Sequence, residues 1–257
     1  MQKRPKIISI SNQKGGVGKT TTAINLGAAL AFKGKTVALI DLDPQGNAST
    51  GLGLEKSERK ATTYDLLLSD QGLGDILWQT DVPRLWLAPS NTDLSSADLQ
   101  LMATERRTFM LADAFRQQSI ENLDLDYILV DCPPSLNLLT LNAMVASDSV
   151  LVPLQAEFFA LEGLSQLMLS VREIRQTANT RLRLEGIVLT MFDKRNNLCR
   201  QVELDARENL QDLVFDTVIP RNVRVSEAPS FGRPVLTYDP FSRGAVAYKS
   251  LAVELIG

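Results

Sequence analysis

Apolar runs rich in Val, Ile and Leu recur along the chain, and the segments between them carry apolar residues at helical spacing. Several runs are continuous rather than alternating, which is typical of strands buried on both faces of a sheet. Strands that alternate with helices predict an α/β fold, a mostly parallel twisted sheet with helices on both faces. The predicted strands are Ile7–Ser11, Val37–Asp41, Leu85–Ala88, Tyr127–Asp131, Ser149–Pro153, Gly186–Met191 and Thr217–Ile219.

The domain organisation follows from length and from the lack of interruptions. A chain of 257 residues suits one large α/β domain, and no repeat or low-complexity linker divides residues 1–257. The polar stretch Glu55–Thr63 is predicted to be a surface loop. Right-handed crossovers place the loops that follow parallel strands at one edge of the sheet. The candidate chemistry falls in such loops: Lys14–Thr20, Asp41–Gln45, Asp131–Ser135 and Pro220–Asn222.

The first of these loops has the composition of a phosphate-binding loop. Residues 13–22 read Gln-Lys-Gly-Gly-Val-Gly-Lys-Thr-Thr-Thr, between a predicted strand and a helix with Ala23, Leu26, Gly27 and Leu30 on one face. Glycines let backbone N–H groups turn inward around phosphate oxygens, and the following helix directs its N-terminal dipole at the anion. Lys19 is placed to reach the outer phosphates, and the Thr20 hydroxyl to ligate Mg²⁺. The predicted nucleotide-binding residues here are Lys14, Gly15, Gly16, Val17, Gly18, Lys19, Thr20 and Thr21.

The loop departs from the common pattern G-x-x-x-x-G-K-[ST] at its first position. Gln13 occupies the place of the first glycine, and Lys14 stands directly before Gly15. This is the deviant Walker A form, in which a second lysine joins the loop. An additional cation beside the phosphates would act as an arginine finger does elsewhere. The sequence leaves open whether Lys14 serves its own nucleotide or a neighbour's.

Two further strands end in carboxylates that are candidates for the metal and for hydrolysis. Asp41 ends one strand and Asp43 follows two residues later, so one could orient water and the other hold the hydration shell of the metal. A turn or helix-cap role is the alternative for this pair. Asp131 ends an apolar strand in the Walker B manner and is predicted to contact Mg²⁺ through water. Asp43 is a second candidate for that shell.

Composition limits the chemistry. There are no histidines, so histidine general-base or metal chemistry is excluded, and any acid–base work rests on carboxylates, lysines or water. Cys132 and Cys199 are far apart and predict neither a disulfide framework nor a metal site. No secretory signal or stretch of membrane-spanning length is present, so cytoplasmic residence is expected.

The charge is distributed unevenly. The net charge is −3, but residues 1–60 hold ten basic and four acidic residues, whereas 61–180 hold six and sixteen. Residues 219–249 hold five basic residues against Glu227 and Asp239. A local basic face on an acidic protein is therefore expected, and local field matters more than net charge for binding polyanions.

These motifs resemble those of the ParA/Soj branch of the ParA–MinD ATPases, over nearly the whole chain. The resemblance rests on Asn12–Thr22, Asp41–Gln45, Val130–Ser135, Pro153–Gly163, Leu189–Asp193, Ile219–Gly232 and Tyr238–Tyr248. It implies a P-loop NTPase-like fold, ATP and Mg²⁺ as cofactors, and a homodimer with ATP between its subunits. Lys14 would cross to the partner's ATP, Asp43 would serve hydrolysis, and Pro220 and Asn222 would lie near the adenine. The segment Pro153–Gly163, with the Phe158–Phe159 pair, becomes a candidate for the dimer interface.

The same resemblance implies a function in DNA segregation. Short proteins of this type bind double-stranded DNA without sequence preference as ATP dimers, and a ParB-like partner stimulates hydrolysis and releases them. The protein is then cytoplasmic and nucleoid-associated, and moves a chromosome origin, plasmid or other cargo. The basic residues expected to contact DNA are Arg195, Arg224, Arg243 and Lys249. An N-terminal helix-turn-helix region is not expected, since the phosphate loop begins near residue 1.

Three other classes of protein share some of these features. A MinD-like membrane-cycling ATPase is expected to end in a basic amphipathic helix, but Gly244–Gly257 offers only Lys249 as a cation, so a packed helix and no stable membrane association are predicted. An iron–sulfur relative needs ligand cysteines that this chain does not pair. A scaffold that binds ATP without turnover is disfavoured by the presence of Lys14, Asp43 and Asp131.

Overall fold

The computed structural model describes residues 4–102, 104–116, 123–157 and 160–257. The strands are β1 Lys6–Ile10, β2 Val37–Asp41, β3 Trp78–Gln79, β4 Leu85–Ala88, β5 Tyr127–Asp131, β6 Ser149–Gln155 and β7 Arg183–Thr190. The helices in these described residues are α1 Lys19–Phe32, α2 Asn47–Gly51, α3 Thr63–Leu68, α4 Leu73–Ile76, α5 Leu94–Met102, α6 Met110–Ala114, α7 Leu138–Ala146, α8 Ala160–Thr177, α9 Asn197–Leu210, α10 Val223–Glu227, α11 Val235–Tyr238 and α12 Arg243–Ile256.

The strands form one seven-stranded sheet in the order β3-β4-β2-β5-β1-β6-β7. All neighbouring pairs are parallel except β3, which is antiparallel to β4. The predicted α/β fold is therefore confirmed. Every residue of β2 and β5 is buried, and so is every residue of β6 except the last. Helices cover both faces of the sheet, so these strands have no solvent-facing side to carry polar residues.

The last predicted strand, Thr217–Ile219, is wrong. This segment runs beside the end of β7 but makes only scattered contacts with it: the Ile219 N–H donates to the Leu189 carbonyl at 2.8 Å, and Phe192 N–H to the Ile219 carbonyl at 3.0 Å. Single bridges at Val214 and Pro220 flank it. Pro220 has no N–H to extend a ladder, so regular pairing stops there.

Other boundaries differ by a few residues, and one strand was not anticipated. β7 begins at Arg183, earlier than predicted, and β6 runs on to Gln155. β3 has only two residues, too short to give an alternating pattern in sequence.

The C-terminal helix α12 packs on α1, so the prediction of a packed terminal helix is confirmed. Tyr248, Leu251 and Leu255 are buried in the same core cluster as the buried residues of α1. Val246, on the same helix, is 52% exposed. The Tyr248 hydroxyl lies 3.4 Å from the Thr22 hydroxyl, and burial raises the pKa of Tyr248 to about 12. Helix α12 is therefore part of the folded core and packs against α1, the helix that begins at the phosphate loop.

Candidate active site at the carboxyl edge

The loop between β1 and α1 has the backbone of a phosphate-binding loop. Gly16 and Gly18 have φ of +75° and +90°, a region that L-residues with a Cβ avoid. Gly18 precedes Lys19, the first residue of α1. A Cβ at Gly15 would meet nothing within 4 Å, so the free loop itself does not demand glycine there. A requirement for glycine at residue 15 can thus come only from whatever binds above the loop.

Side chains from neighbouring strands fix the position of this loop. The Asn12 side chain accepts the Lys14 N–H at 3.0 Å and donates to the Pro153 carbonyl at 2.8 Å. The Thr190 hydroxyl donates to the Val17 carbonyl at 2.8 Å. The loop is therefore attached to the ends of β6 and β7 as well as to β1. Asn12 and Thr190 were not singled out from sequence, because Pro153 and Val17, the partners that fix the loop to the other strands, lie more than a hundred residues away from them.

The two lysines of the loop occupy different environments. Lys19 is buried, and its ammonium donates to the Lys14 carbonyl at 2.9 Å across the loop. Burial lowers the pKa of Lys19, while the charges of Asp131, Cys132 and Asp43 counteract that effect. Lys14 is half exposed and forms an ion pair with Glu157. Lys19 thus faces inward and Lys14 outward. Phe158 and Phe159, which follow Glu157, lie outside the described residues.

Asp131 is a buried carboxylate to which the described residues donate no hydrogen bond of regular geometry. It is fully buried at the end of β5, and neither carboxylate oxygen accepts a regular hydrogen bond. Burial raises the pKa of Asp131 well above its usual value, with a further contribution from Asp41; the Thr20 hydroxyl and Lys19 counteract part of the rise. A buried anion left in this condition is costly unless a cation or ordered water satisfies it. The site therefore fits a divalent cation held by Thr20 and, through water, by Asp131.

Asp41 has the turn and helix-cap role that was the sequence-based alternative to binding metal or water. It pairs in register with Asp131 on the neighbouring strand. Its Oδ2 accepts the Ser49 N–H at 2.8 Å and the Ser49 hydroxyl at 2.6 Å, and its Oδ1 the Asp43 N–H at 3.3 Å. Burial raises the pKa of Asp41 to about 6 despite these bonds. Asp41 thus holds the start of α2 and the turn that presents Asp43, and is not itself available to a metal or water.

Among the described residues, the Asp43 carboxylate accepts fewer hydrogen bonds than the Asp41 carboxylate does. It is 8% exposed, and its Oδ1 accepts the Gln45 N–H at 2.9 Å. Its charge raises the pKa of Lys19 and of Asp131, so it lies within electrostatic reach of both. The structure therefore brings Lys19, Asp43 and Asp131 together at one edge of the sheet.

Arg59 supports the Asp43 turn from below. Its guanidinium is buried and donates to the Leu54 carbonyl at 2.9 Å, the Ser90 carbonyl at 2.8 Å and the Thr50 hydroxyl at 2.7 Å. Burial lowers the pKa of Arg59, and the charges of Asp41 and Glu55 counteract this. The prediction that 55–63 is a surface loop is wrong at Arg59, Thr62 and Thr63, which are buried, and Thr63 is the first residue of α3. A polar run of sequence gives no signal that one of its cations is buried.

Gly46, at the end of the Asp43 turn, leaves no room for a side chain. Its φ is +63°, and an added Cβ would collide with the Arg59 guanidinium and lie 2.8 Å from the Ser90 carbonyl. We expect Gly46→Ala to lower the free energy of unfolding by about 3 kcal/mol, from left-handed strain plus overpacking. Urea denaturation measures this.

Gly34→Ala is the matched control for that substitution. Gly34 has φ of +82°, but an added Cβ would meet nothing within 4 Å. Its replacement should therefore cost only the backbone term, about 1 kcal/mol. Equal losses at the two glycines would show that Arg59 does not brace the turn.

Asp131→Asn should stabilise the nucleotide-free protein at pH 7–8, by roughly 1–3 kcal/mol, because a neutral amide replaces a buried carboxylate without partners. Since the pKa of Asp131 is raised, the folded protein binds the proton more tightly than the unfolded chain does. The penalty for the charged form is therefore absent at low pH, and the advantage of the variant should vanish as pH falls toward the ordinary value of 3.8. Thermal unfolding at several pH values checks this.

Asp41→Asn provides the contrast. Asp41 accepts hydrogen bonds that favour its charged form, so the same exchange there should give no comparable gain. A less stable Asp131→Asn at pH 7–8 would contradict the assignment of an unsatisfied carboxylate.

The remaining predicted residues lie near the same edge. The Asn222 side-chain carbonyl caps α10 by accepting the Arg224 N–H at 2.9 Å, which leaves its amide nitrogen as the donor it can offer. Arg195 is exposed and pairs with Asp193 at 2.9 Å; Arg224 pairs with Glu227 at 3.0 Å and Asp239 at 3.4 Å. Hydrogen bonds from Arg195 lower the pKa of Asp193 to about 2, so that ion pair persists at neutral pH.

The C-terminal basic residues are presented by α12. Arg243 is the first residue of that helix and is exposed. Lys249 donates to the Pro240 carbonyl at 3.0 Å. Arg221 also belongs to this region, because its N–H donates to the Phe192 carbonyl at 3.0 Å and its charge contributes to the lowered pKa of Asp193. Sequence reasoning noted Arg221 as basic without assigning it a contact.

Both cysteines are buried and free. Burial raises the pKa of the Cys132 thiol well above its usual value, which leaves it unreactive. In the described parts of the chain, no helix is both long and apolar enough to cross a membrane.

Comparison with known proteins shows which family the chain belongs to. Residues 5–184 match the family model described as AAA domain, AAA_31. The chain is 54% identical over 251 residues to the chromosome partitioning protein ParA of Caulobacter vibrioides, covering 98% of this chain and 94% of the relative. It is 51% identical over 250 residues to the sporulation initiation inhibitor protein Soj of Bacillus subtilis, covering 97% and 98%.

One of the similar solved structures contains a bound nucleotide. The crystal structure of cobyrinic acid a,c-diamide synthase from Mycobacterium smegmatis with bound ADP and magnesium has a TM-score of 0.84 and 34% identity, covering 98% of this chain and 94% of that one. A doubly covered parallel sheet with a two-lysine phosphate loop and a Walker B aspartate defines a P-loop ATPase of the ParA–MinD superfamily. Within that superfamily, the chain belongs to the ParA/Soj family of chromosome partitioning ATPases.

Proposed function

We propose that the chain is an ATP-driven switch for DNA segregation. MgATP promotes a homodimer that binds double-stranded DNA without sequence preference, and hydrolysis stimulated by a ParB-like partner releases it. The cargo is a chromosome origin, a plasmid or another body, moved over the nucleoid in the cytoplasm. The observation that carries this proposal is the two-lysine loop, Lys14–Thr20, set beside the buried and unpartnered carboxylate of Asp131.

In this proposal, each polar group of the nucleotide site has a separate role. Backbone N–H groups of Gly15–Thr21 and the Lys19 ammonium would bind the phosphates, and the Thr20 hydroxyl would ligate Mg²⁺, with Asp131 behind it through water. Mg²⁺ would supply neutralisation of the charge on the phosphate oxygens. Asp43 would orient the attacking water. Pro220 and Asn222 would border the adenine, since they follow the segment that runs beside β7 at the same edge.

Lys14 is the residue assigned to dimerisation. Its ammonium points out of the loop and, among the described residues, pairs with the less exposed side chain of Glu157. An exposed ion pair contributes about 0–1 kcal/mol, so the lysine can exchange it for the phosphates of a neighbouring subunit's nucleotide at small cost. Lys14 would thus complete the charge compensation that phosphoryl transfer requires.

The DNA contacts are assigned to the basic residues of the 193–249 region. Arg195, Arg224, Arg243 and Lys249 would bind phosphates and not bases, so affinity should fall steeply with salt. The ion pairs of Arg195 and Arg224 are exposed and would yield to DNA phosphates. Dimerisation would double the contacts and raise the affinity through avidity.

Binding of arbitrary-sequence duplex DNA, measured with ATP and with ADP across a salt series, tests this proposal. Binding only with ATP, weakening linearly in log salt, is the expected result. Absence of binding in both states would remove the partition mechanism, and binding to anionic vesicles instead would favour the membrane-cycling alternative.

A matched pair of variants localises the contact. Arg195 and Arg106 are both exposed and both pair through Nε and Nη2 with an aspartate, Asp193 and Asp113 respectively. Arg195→Gln should reduce the salt slope by about 0.9, the value for one phosphate contact, while Arg106→Gln leaves it unchanged.

A further inference from the structure

A recess of about 400 Å³ lies at the amino edge of the sheet, the edge opposite the phosphate loop. β1, β6 and β7 are parallel neighbours, so the residues at their starts meet there. The recess is lined by Arg4, Pro5, Lys6, Asp148, Arg181 and Arg183. Four of these six side chains are cationic, and none belongs to the nucleotide site or to the basic residues discussed above.

The carboxylates at this edge are engaged within the protein. Asp148 accepts the Ile7 N–H at 2.9 Å and pairs with Arg4 at 3.3 Å. Glu185, beside the recess, pairs with Lys6 at 2.6 Å and accepts the Ser149 hydroxyl at 2.5 Å. These contacts tie β1, β6 and β7 together, and they use both oxygens of each carboxylate.

Positive charge is therefore left in excess. Arg183 lies 4.0 Å from Glu185, at the limit of an ion pair, and its side chain is 65% exposed. Arg181 is exposed, and the structure of the described residues shows no ion pair for its guanidinium. Four cations around two engaged carboxylates form a local positive recess on a protein whose net charge is −3. Such a recess concentrates anions.

We propose that this amino-edge recess is a second phosphate-binding surface for duplex DNA. Among its lining residues only Pro5 is apolar, whereas small-molecule pockets are mostly apolar and enclosing. Firm binding to a lipid surface usually adds apolar side chains that enter the bilayer to the attraction between cations and anionic headgroups. An open recess lined by arginine and lysine suits a polyanion backbone, which needs charge and bidentate donors but neither enclosure nor base readout.

The position of the recess gives it a distinct role. β7 separates Arg183 at one edge from the Arg195 region at the other, and eight residues of strand span roughly 23 Å. In a dimer joined through the phosphate loops, both amino edges would face away from the interface. This inference rests on the proposed DNA binding, and it gives each protomer two separated contacts, so a dimer can hold more than one DNA segment.

The test is the salt dependence of DNA binding for Arg181→Gln/Arg183→Gln, measured with ATP and with ADP. Loss of two phosphate contacts should reduce the slope of log affinity against log salt by about 1.8. Both residues lie outside the nucleotide site, so basal ATP turnover should be unchanged. Lys56→Gln/Lys60→Gln, two exposed lysines of the loop before α3, removes the same charge and should leave the slope unaltered.

The outcomes separate this inference from the proposed function. If the arginine variant binds DNA with the wild-type affinity and the wild-type salt slope, the recess does not bind DNA, and ATP-dependent DNA binding elsewhere on the protein is unaffected. DNA binding that ignores the nucleotide but weakens in the arginine variant would support the recess and overturn the ATP switch. If the lysine control changes the salt slope equally, the effect comes from net charge alone, and the assignment of DNA binding to the recess is wrong. Retention on anionic vesicles that depends on Arg181 and Arg183 would overturn DNA as the ligand.

Discussion

Asp43→Ala should reduce ATP turnover at least about a hundredfold while leaving ATP affinity nearly unchanged. A positioned carboxylate that orients or deprotonates water contributes about 10²–10⁴ in rate. Asp43 is the carboxylate free for this task, because Asp41 is bound to Ser49 and Asp131 lies fully buried at the end of β5. Its charge reaches Lys19, so removing it should leave phosphate binding intact or slightly stronger.

Single-turnover hydrolysis and equilibrium binding of a fluorescent ATP analogue measure the two quantities separately. Asp43→Asn is the control for structure, since its side-chain oxygen can still accept the Gln45 N–H that the carboxylate accepts at 2.9 Å. If the carboxylate charge matters, both variants lose turnover. If alanine alone loses it, Asp43 only shapes the turn. Normal hydrolysis by Asp43→Ala would refute the catalytic assignment altogether.

The parts of this site that sequence predicted are those in which the information is local. The glycines and lysines of 14–19 lie within one loop, and strand ends at Asp41 and Asp131 are visible as apolar runs that stop at a carboxylate. Parallel pairing then brings them together, as the register of Asp41 opposite Asp131 shows. Fold class and the phosphate loop required no distant partner to be known.

The parts that sequence missed depend on partners distant in the chain. Lys14 and Glu157 are 143 positions apart, and Arg59 meets Ser90 only because α2, the 55–60 loop and β4 converge. The failure at 217–219 has the same origin: the segment has strand composition, but its neighbour β7 accepts it at isolated points. Composition also failed to separate Asp41 from Asp43, since only the position of Ser49 decides which carboxylate is engaged.

Lys14→Gln should abolish ATP-dependent dimerisation at concentrations where the wild-type protein dimerises, while the monomer still binds ATP. Losing a cation that pairs with a desolvated phosphate across an interface costs about 2–5 kcal/mol, which corresponds to roughly thirtyfold or more in dimer affinity. Lys19 remains in the loop to hold the subunit's own nucleotide. Sedimentation equilibrium with a slowly hydrolysed ATP analogue measures the dimer constant.

Glu157→Gln should act in the opposite direction, because Lys14 must leave Glu157 before it can reach a neighbouring subunit. A partly exposed pair of this kind is worth up to about 1 kcal/mol, and the homodimer must break two of them, so the variant should dimerise up to about thirtyfold more tightly. Lys33→Gln, at an exposed lysine just beyond α1, should change neither dimerisation nor ATP binding. If Lys14→Gln dimerises at the same concentration as the wild-type protein, Lys14 does not contribute to the dimer interface. Weaker dimerisation by Glu157→Gln would mean that the carboxylate acts within the dimer and does not restrain the lysine in the monomer.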